Sequence, residues 1–258
     1  MNAAAAKLAA RGRLDAPALV RLRRVGILIP FLILFAVLSL TSSSFATKVN
    51  LLNILDQQSA TLIIAAAGTL VLVAGGIDLS VGATYSLAAV TSAHFALHAT
   101  PAVAIALGIG AGLLVGLANG VITTTFRINA LITTLAMSFI VSGIASLVTK
   151  GNLLVLFDKP SFGKFARTEL LTVRTSIWLM IVAVLAIGVV LSSSTAGRYM
   201  YAAGGNAEAA RLAGVRVNAT RILAFAISGG AAGLAGVLDT SRVLSAQASS
   251  GDTALAFT

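Results

Sequence analysis

The chain contains no cysteine, and only 8 of its 258 residues are acidic. Without cysteine there is no disulfide, no thiol nucleophile and no cysteine metal site. Charge of either sign is scarce, at 10% of residues, against 58% hydrophobic residues and a mean hydropathy of +0.98. A soluble domain of this length needs polar residues to cover its outside, and this mixture does not supply them. A bilayer removes the need, because lipid tails solvate apolar side chains. The apolar stretches recur along the whole chain, which argues against a soluble domain on a single anchor.

Motifs for chemistry are also missing. There is no Gly-x-x-x-x-Gly-Lys-Ser/Thr phosphate loop; Gly163-Lys164 is followed by Phe165, so the chain is not expected to bind ATP by that route. No Gly-x-Ser-x-Gly or His-Glu-x-x-His is present. The only histidines, His94 and His98, stand one helical turn apart near the end of an apolar run. Two imidazoles at that spacing suit a metal, but no Asp, Glu or Cys lies near them in sequence, so they read as an interfacial pair. No catalytic residue, metal or cofactor is expected.

What the chain has is basic charge between apolar runs. The formal charge is +10. The positive-inside bias and anionic lipid headgroups account for it, and nucleic acid is not an expected partner, since no basic patch is interleaved with aromatics. Lys7, Arg11, Arg13, Arg21, Arg23 and Arg24 precede an apolar run from Val25 to Leu40. A signal peptide has this order, and Ser44-Phe45-Ala46 faintly resembles a cleavage site. More apolar runs follow, however, at about 58–75, 83–98, 102–123, 130–149, 176–194 and 222–240. The sequence therefore predicts an all-α, polytopic transmembrane bundle of about seven spans, some short enough to be tilted, broken or re-entrant. Residues 1–24 form a basic cytoplasmic tail and 25–258 the membrane domain. Parity from a cytoplasmic N-terminus puts Arg127, Arg198, Arg211, Arg216 and Arg221 inside, as the basic-residue bias requires. It also puts the basic segment 150–175 outside, against that bias.

Gly108, Gly112, Gly116 and Gly120 recur every fourth residue in one span, a stripe that lets a second backbone come close. Gly229, Ala232, Gly233 and Gly236 make another small-residue surface. Asp78 lies between two apolar runs, after Gly75-Gly76. The glycines permit a break in the helix. Asp78 and Ser80 suit a cap on the next helix, while a carboxylate at membrane depth suits a polar path or gate. Asn119 fits either a polar path or an interhelical hydrogen bond, and Arg127 a cytoplasmic anchor. Asp239 and Arg242 have the spacing of an ion pair on one helix.

Gly75-Gly76-Ile77-Asp78-Leu79-Ser80-Val81-Gly82, Leu117-Ala118-Asn119-Gly120, Phe126-Arg127-Ile128 and the stretch from Gly197 to Asn206 follow one another in that order. Together with Glu208-Ala209-Ala210-Arg211-Leu212-Ala213-Gly214 they resemble the ribose-type sugar permeases of bacterial ABC importers, within the branched-chain amino acid/ribose permease superfamily. The resemblance covers nearly the whole chain after the basic tail. It implies a path for a monosaccharide such as a pentose, with Asp78, Ser80 and Asn119 at the path or gate. It implies a cytoplasmic ATPase subunit that hydrolyses ATP, a periplasmic or lipid-anchored sugar-binding protein, and a second permease copy in a homodimer or heterodimer. It places the protein in the bacterial inner membrane and makes residues 196–221 a cytoplasmic coupling loop, carried by Gly205, Asn206, Glu208, Ala209, Ala210 and Gly214. Residues 208–214 are expected to form a short helix, capped by Asn206 and ended by Gly214 in a left-handed turn. Family chains continue with further apolar helices, whereas this one stops at Ala256-Phe257-Thr258, as a short variant or a fragment would. The Gly-Gly-Ile-Asp-Leu-Ser block favours sugar over a branched-chain amino acid. An ion-coupled transporter is disfavoured because Asp78 is nearly alone in its spans, and a membrane enzyme because no catalytic cluster exists.

Overall fold

The computed structural model describes Gly26 and residues 28–251. The basic tail over residues 1–24 and the final Ala256-Phe257-Thr258 lie outside them. The chain divides into two compact units, residues 1–54 and 55–258. In the first, α1 (Leu28–Thr41) is apolar all round and buries none of its side chains, the composition of a helix solvated by lipid. After a tight turn, α2 (Lys48–Val73) begins. Asn50 Nδ2 donates to the Phe45 carbonyl at 2.8 Å and fixes that turn. α2 then continues into the second unit.

The second unit is a helix bundle. α3 (Val81–His98) and α4 (Pro101–Thr125) are joined by a two-residue link, with Pro101 in the first turn of α4, where its missing N–H costs nothing. α5 (Ala130–Thr149) is capped by Asn129, whose Oδ1 accepts from the Leu131 N–H at 2.9 Å. α7 (Thr175–Ser193) and α10 (Val217–Val243) complete the long helices. Among the described residues five helices, α2, α4, α5, α7 and α10, are long and apolar enough to cross a membrane. Over its described residues each of the seven apolar runs overlaps a helix, and the protein is a multi-pass, all-α membrane bundle. Large side chains such as Leu114, Phe139 and Leu185 stay exposed on its outside, as a lipid-facing surface requires.

α10 is the central element. A Cβ on Gly112 would stand 2.6 Å from the Gly233 Cα, one on Gly116 3.0 Å from the Gly229 Cα, and one on Gly120 2.8 Å from the Ile222 Cα. A Cβ on Gly108 would stand 2.9 Å from the Ser92 Cβ of α3. The glycine stripe of α4 therefore lies against α10, where the two backbones touch.

The segment after α5 holds no helix long enough to cross a membrane. It contains the short helix α6 (Pro160–Arg167) and the two-residue strands β1 (Leu154–Val155), β2 (Glu169–Leu170) and β3 (Val173–Arg174). β1 pairs antiparallel with β4 (Ser245–Ala246), beyond the end of α10. Ser241 Oγ donates to the Phe162 carbonyl at 2.7 Å and accepts from the Ala166 N–H at 3.1 Å. The segment is thus fastened over that end of α10. Two of its arginines have partners: Arg174 pairs with Asp56 of α2, and Arg167 Nε donates to the Arg242 carbonyl at 2.7 Å.

Candidate translocation and coupling sites

α2 ends in a Schellman motif. Gly76 N–H bonds the Val71 carbonyl at 2.9 Å, Gly75 N–H bonds that of Leu72 at 3.0 Å, and Gly75 takes φ +81°, a conformation that favours glycine. Residues 77–79 then run outside both helices. Arg221 Nε donates to the Ala74 carbonyl at 3.2 Å, and Ser228 Oγ donates to Asp78 Oδ2 at 3.2 Å. Those two partners lie about 10 Å apart along α10, at ~1.5 Å per residue. The chain therefore climbs into the bundle before α3 starts. Irregular backbone at such depth must be satisfied by protein or by a cavity. Thr134 of α5 helps: its Oγ1 accepts from the Leu79 N–H at 3.0 Å and donates to the Ile77 carbonyl at 3.3 Å.

Asp78, Ser80 and Asn119 come together here. Asp78 Oδ1 accepts from the Ser80 N–H at 3.0 Å and from Ser80 Oγ at 2.7 Å. Asn119 Nδ2 donates to Ser80 Oγ, also at 2.7 Å. Capping works differently from the expectation. Ser80 stands at the N-cap of α3, but neither its side chain nor that of Asp78 accepts from the helix amides; the Ser80 hydroxyl is held between Asp78 and Asn119 instead. Ser80 and Asn119 are fully buried, so this cluster fastens α3, α4 and α10 together. Among the described residues Asp78 has no ion-pair partner. Ser228 and Thr134 escaped the sequence reading, because single hydroxyl residues in apolar helices carry no motif.

Two cavities lie elsewhere among the described residues, and Asp78, Ser80 and Asn119 border neither. One, of about 1040 Å³, opens beside the break and is bordered by Gly75, Thr124, Arg127, Asn129, Arg211 and Arg221. The other, of about 560 Å³, lies towards the far end of α10 and includes Tyr85, Asp239 and Arg242. Asp239 and Arg242 form the ion pair that their spacing suggests, with Arg242 Nε 3.0 Å from Asp239 Oδ1. The His94 and His98 rings stand 5.6 Å apart. Among the described residues no three His, Cys, Asp or Glu gather as metal ligands.

The loop after α7 holds two short helices, α8 (Thr195–Gly205) and α9 (Ala207–Leu212). Asn206 Oδ1 accepts from the Glu208 and Ala209 N–H groups at 3.1 and 3.0 Å. Gly214, at φ +84°, ends α9 in a second Schellman motif: Val215 N–H reaches the Ala210 carbonyl, and Gly214 N–H that of Arg211, both at 3.0 Å. Glu208 pairs with Arg211 at 3.1 Å on an open face. Ala203, Ala210 and Val217 bury together and join α8, α9 and the start of α10. Gly204 packs against the end of α2; a Cβ there would run into the Val73 carbonyl. α9 is thus linked through α8 to the break before Asp78.

Residues 50–258 match the family described as branched-chain amino acid transport system / permease component. The chain belongs to that permease family. It is similar to the ribose import permease protein RbsC of Escherichia coli (strain K12), 38% identical over 230 residues that cover 87% of this chain and 71% of the relative. It is likewise similar to the L-arabinose ABC transporter permease protein AraH of Azospirillum brasilense, 38% identical over 226 residues covering 86% and 66%. A third relative, RbsC of Bacillus subtilis (strain 168), is 32% identical over 233 residues covering 90% and 72%. No solved structure matches. As a member of the permease family, the chain is a transport component rather than an enzyme.

Proposed function

We propose that this chain is the membrane-spanning permease subunit of an ATP-driven importer that carries a pentose or related monosaccharide across the bacterial inner membrane. The observation that carries the reading is the 38% identity to a ribose permease over 87% of the chain, together with similarity to L-arabinose permeases. Partners follow from that reading: a cytoplasmic ATPase that supplies the energy, a sugar-binding protein on the opposite face, and a second permease copy. The N-terminus is cytoplasmic. Parity then places the break at residues 74–80, Arg127 and the loop with α8 and α9 on the ATPase side. It places the segment 150–174 and the end of α10 outside.

In this arrangement α9 is the coupling helix, with Asn206, Glu208, Ala209, Ala210 and Gly214 forming a knob that the ATPase grips. At six residues it is too short to hold its shape alone, and its cap, its Schellman turn and the packing of Ala210 keep it rigid. Movement of the knob reaches the break through the contact of Gly204 with Val73, and from there the cluster of Asp78, Ser80 and Asn119 that fixes the start of α3. The test is reconstitution of this chain with its ATPase and binding protein in vesicles. ATP-dependent uptake of labelled D-ribose or L-arabinose is expected, and uptake of L-leucine instead would move the chain to the amino-acid branch of its family.

A further inference from the structure

We propose that the 560 Å³ cavity between α2, the first half of α3 and the end of α10 is a binding subsite for a neutral, polyhydroxylated solute, with Gln57 and Gln58 as its principal ligands. The proposal rests on the sugar-importer reading above. Its first support is a polar run, Asp56-Gln57-Gln58-Ser59, which follows Lys48, Asn50 and Asn53 in the first half of α2. The run begins eight residues into the helix, roughly 12 Å from its start at ~1.5 Å per residue. Polar groups within a membrane-spanning helix face the bundle interior or water. Asp56 is used by Arg174 and Ser176, and Ser59 Oγ donates to the Asp56 carbonyl at 2.7 Å. Among the described residues no contact of this kind occupies the amides of Gln57 and Gln58, and both border the cavity.

The second support is the cavity floor. Tyr85, only 1% exposed, donates from its hydroxyl to Asp239 Oδ2 at 2.6 Å, while Arg242 holds Asp239 Oδ1. The two charges are satisfied by each other and by the tyrosine, so the floor is polar without net charge. That floor offers a zwitterionic amino acid no unpaired charge. A sugar hydroxyl donates and accepts at once, as a carboxamide does, and it can meet Gln57, Gln58, Thr61 and Gln247 without disturbing the pair. The volume falls within the ~300–1,000 Å³ range of small-molecule sites. The buried Asp78 cluster borders neither cavity, so solute handling and helix fastening are carried by different residues.

The absence of cysteine makes the test direct. Gln58→Cys, and Thr100→Cys as an exposed control on the link between α3 and α4, are placed in the assembled importer in vesicles. A membrane-impermeant methanethiosulfonate is applied from the binding-protein side, with and without saturating D-ribose and binding protein. Both cysteines are expected to react, and ribose is expected to slow the reaction several-fold at Gln58→Cys only. Gln58→Leu should raise the KM for uptake and leave kcat nearly unchanged. An unreactive Gln58→Cys, equal slowing at both positions, or protection by L-leucine but not ribose overturns the subsite. Ribose uptake by the unsubstituted importer tests the importer reading separately, since protection is read by labelling and not by transport. Uptake with an unprotected Gln58→Cys therefore rejects the subsite alone.

Discussion

Asn119 Nδ2 donates to Ser80 Oγ at 2.7 Å, tying the middle of α4 to the start of α3 at a point closed to solvent. The same hydroxyl donates to Asp78, whose other carboxylate oxygen accepts from Ser228 of α10. Asp78→Ala would leave these donors without partners, at a cost of about 1–3 kcal/mol. A lower Tm in detergent should show it. Asp78→Asn keeps an acceptor oxygen and should cost less. Near-normal uptake by Asp78→Asn would identify the carboxylate as a fastener. Lost uptake at an unchanged Tm would instead put its charge in the translocation path.

The glycines of α4 divide by face. A Cβ on Gly116 meets the backbone of Phe225 and Gly229, whereas one on Gly110 meets nothing within 4 Å. Backbone cannot yield as a side-chain tip can, so Gly116→Leu should force α4 and α10 apart at a cost of about 1–3 kcal/mol or more. Gly110→Leu should be tolerated. The yield of monodisperse protein in detergent distinguishes the two, and equal yields would refute the α4–α10 contact.

Asp56 and Arg174 are unequal partners. Asp56 is 2% exposed, and the Arg174 side chain 43%. Removing the arginine leaves a buried charge with only Ser176 and its own helix around it. Neutralising the carboxylate leaves an arginine that water reaches. Arg174→Ala should therefore destabilise by about 1–3 kcal/mol, below the range for fully buried pairs, and Asp56→Asn by less. Thermal unfolding of both variants checks the order.

Where helices lie was legible in the sequence, because apolar length is a local property. Gly75-Gly76, the every-fourth glycines, and Asn206 with Gly214 were legible too, since each imposes a geometry within a few residues. The start of α2 was not: the expected run began at residue 58, whereas the helix begins at Lys48. Asp56, Gln57 and Gln58 lower the local hydropathy without interrupting the helix. Contacts between Asp56 and Arg174, or Asp78 and Ser228, join residues more than a hundred positions apart. No local pattern encodes such pairs. Within the basic segment 150–174, Arg174 pairs with Asp56 of α2 and Arg167 donates to a carbonyl of α10, contacts that a count of basic residues does not reveal.

The coupling reading of α9 is tested by separating shape from contact. Gly214 at φ +84° has open space around its α-carbon, so Gly214→Val meets no clash there and acts through the backbone alone. A left-handed β-branched residue costs roughly 1–2 kcal/mol, enough to undo a one-and-a-half-turn helix and leave the membrane bundle intact. Asn206→Ala removes the acceptor for two N–H groups and should cost about 1 kcal/mol of α9 stability. Glu208→Ala changes little in the fold, because its pair with Arg211 is exposed on both sides and such pairs contribute at most about 1 kcal/mol. If α9 docks in the ATPase, all three variants should insert normally, bind the ATPase less well in pull-downs, and import more slowly. Gly204→Ala provides the complementary measurement. Its Cβ would push on the Val73 carbonyl, so ATPase binding should persist while uptake per ATP hydrolysed falls. Gly205→Ala has open space and should behave as wild type. Normal ATPase binding and uptake in both Gly214→Val and Glu208→Ala would leave α9 as a plain turn between two spans.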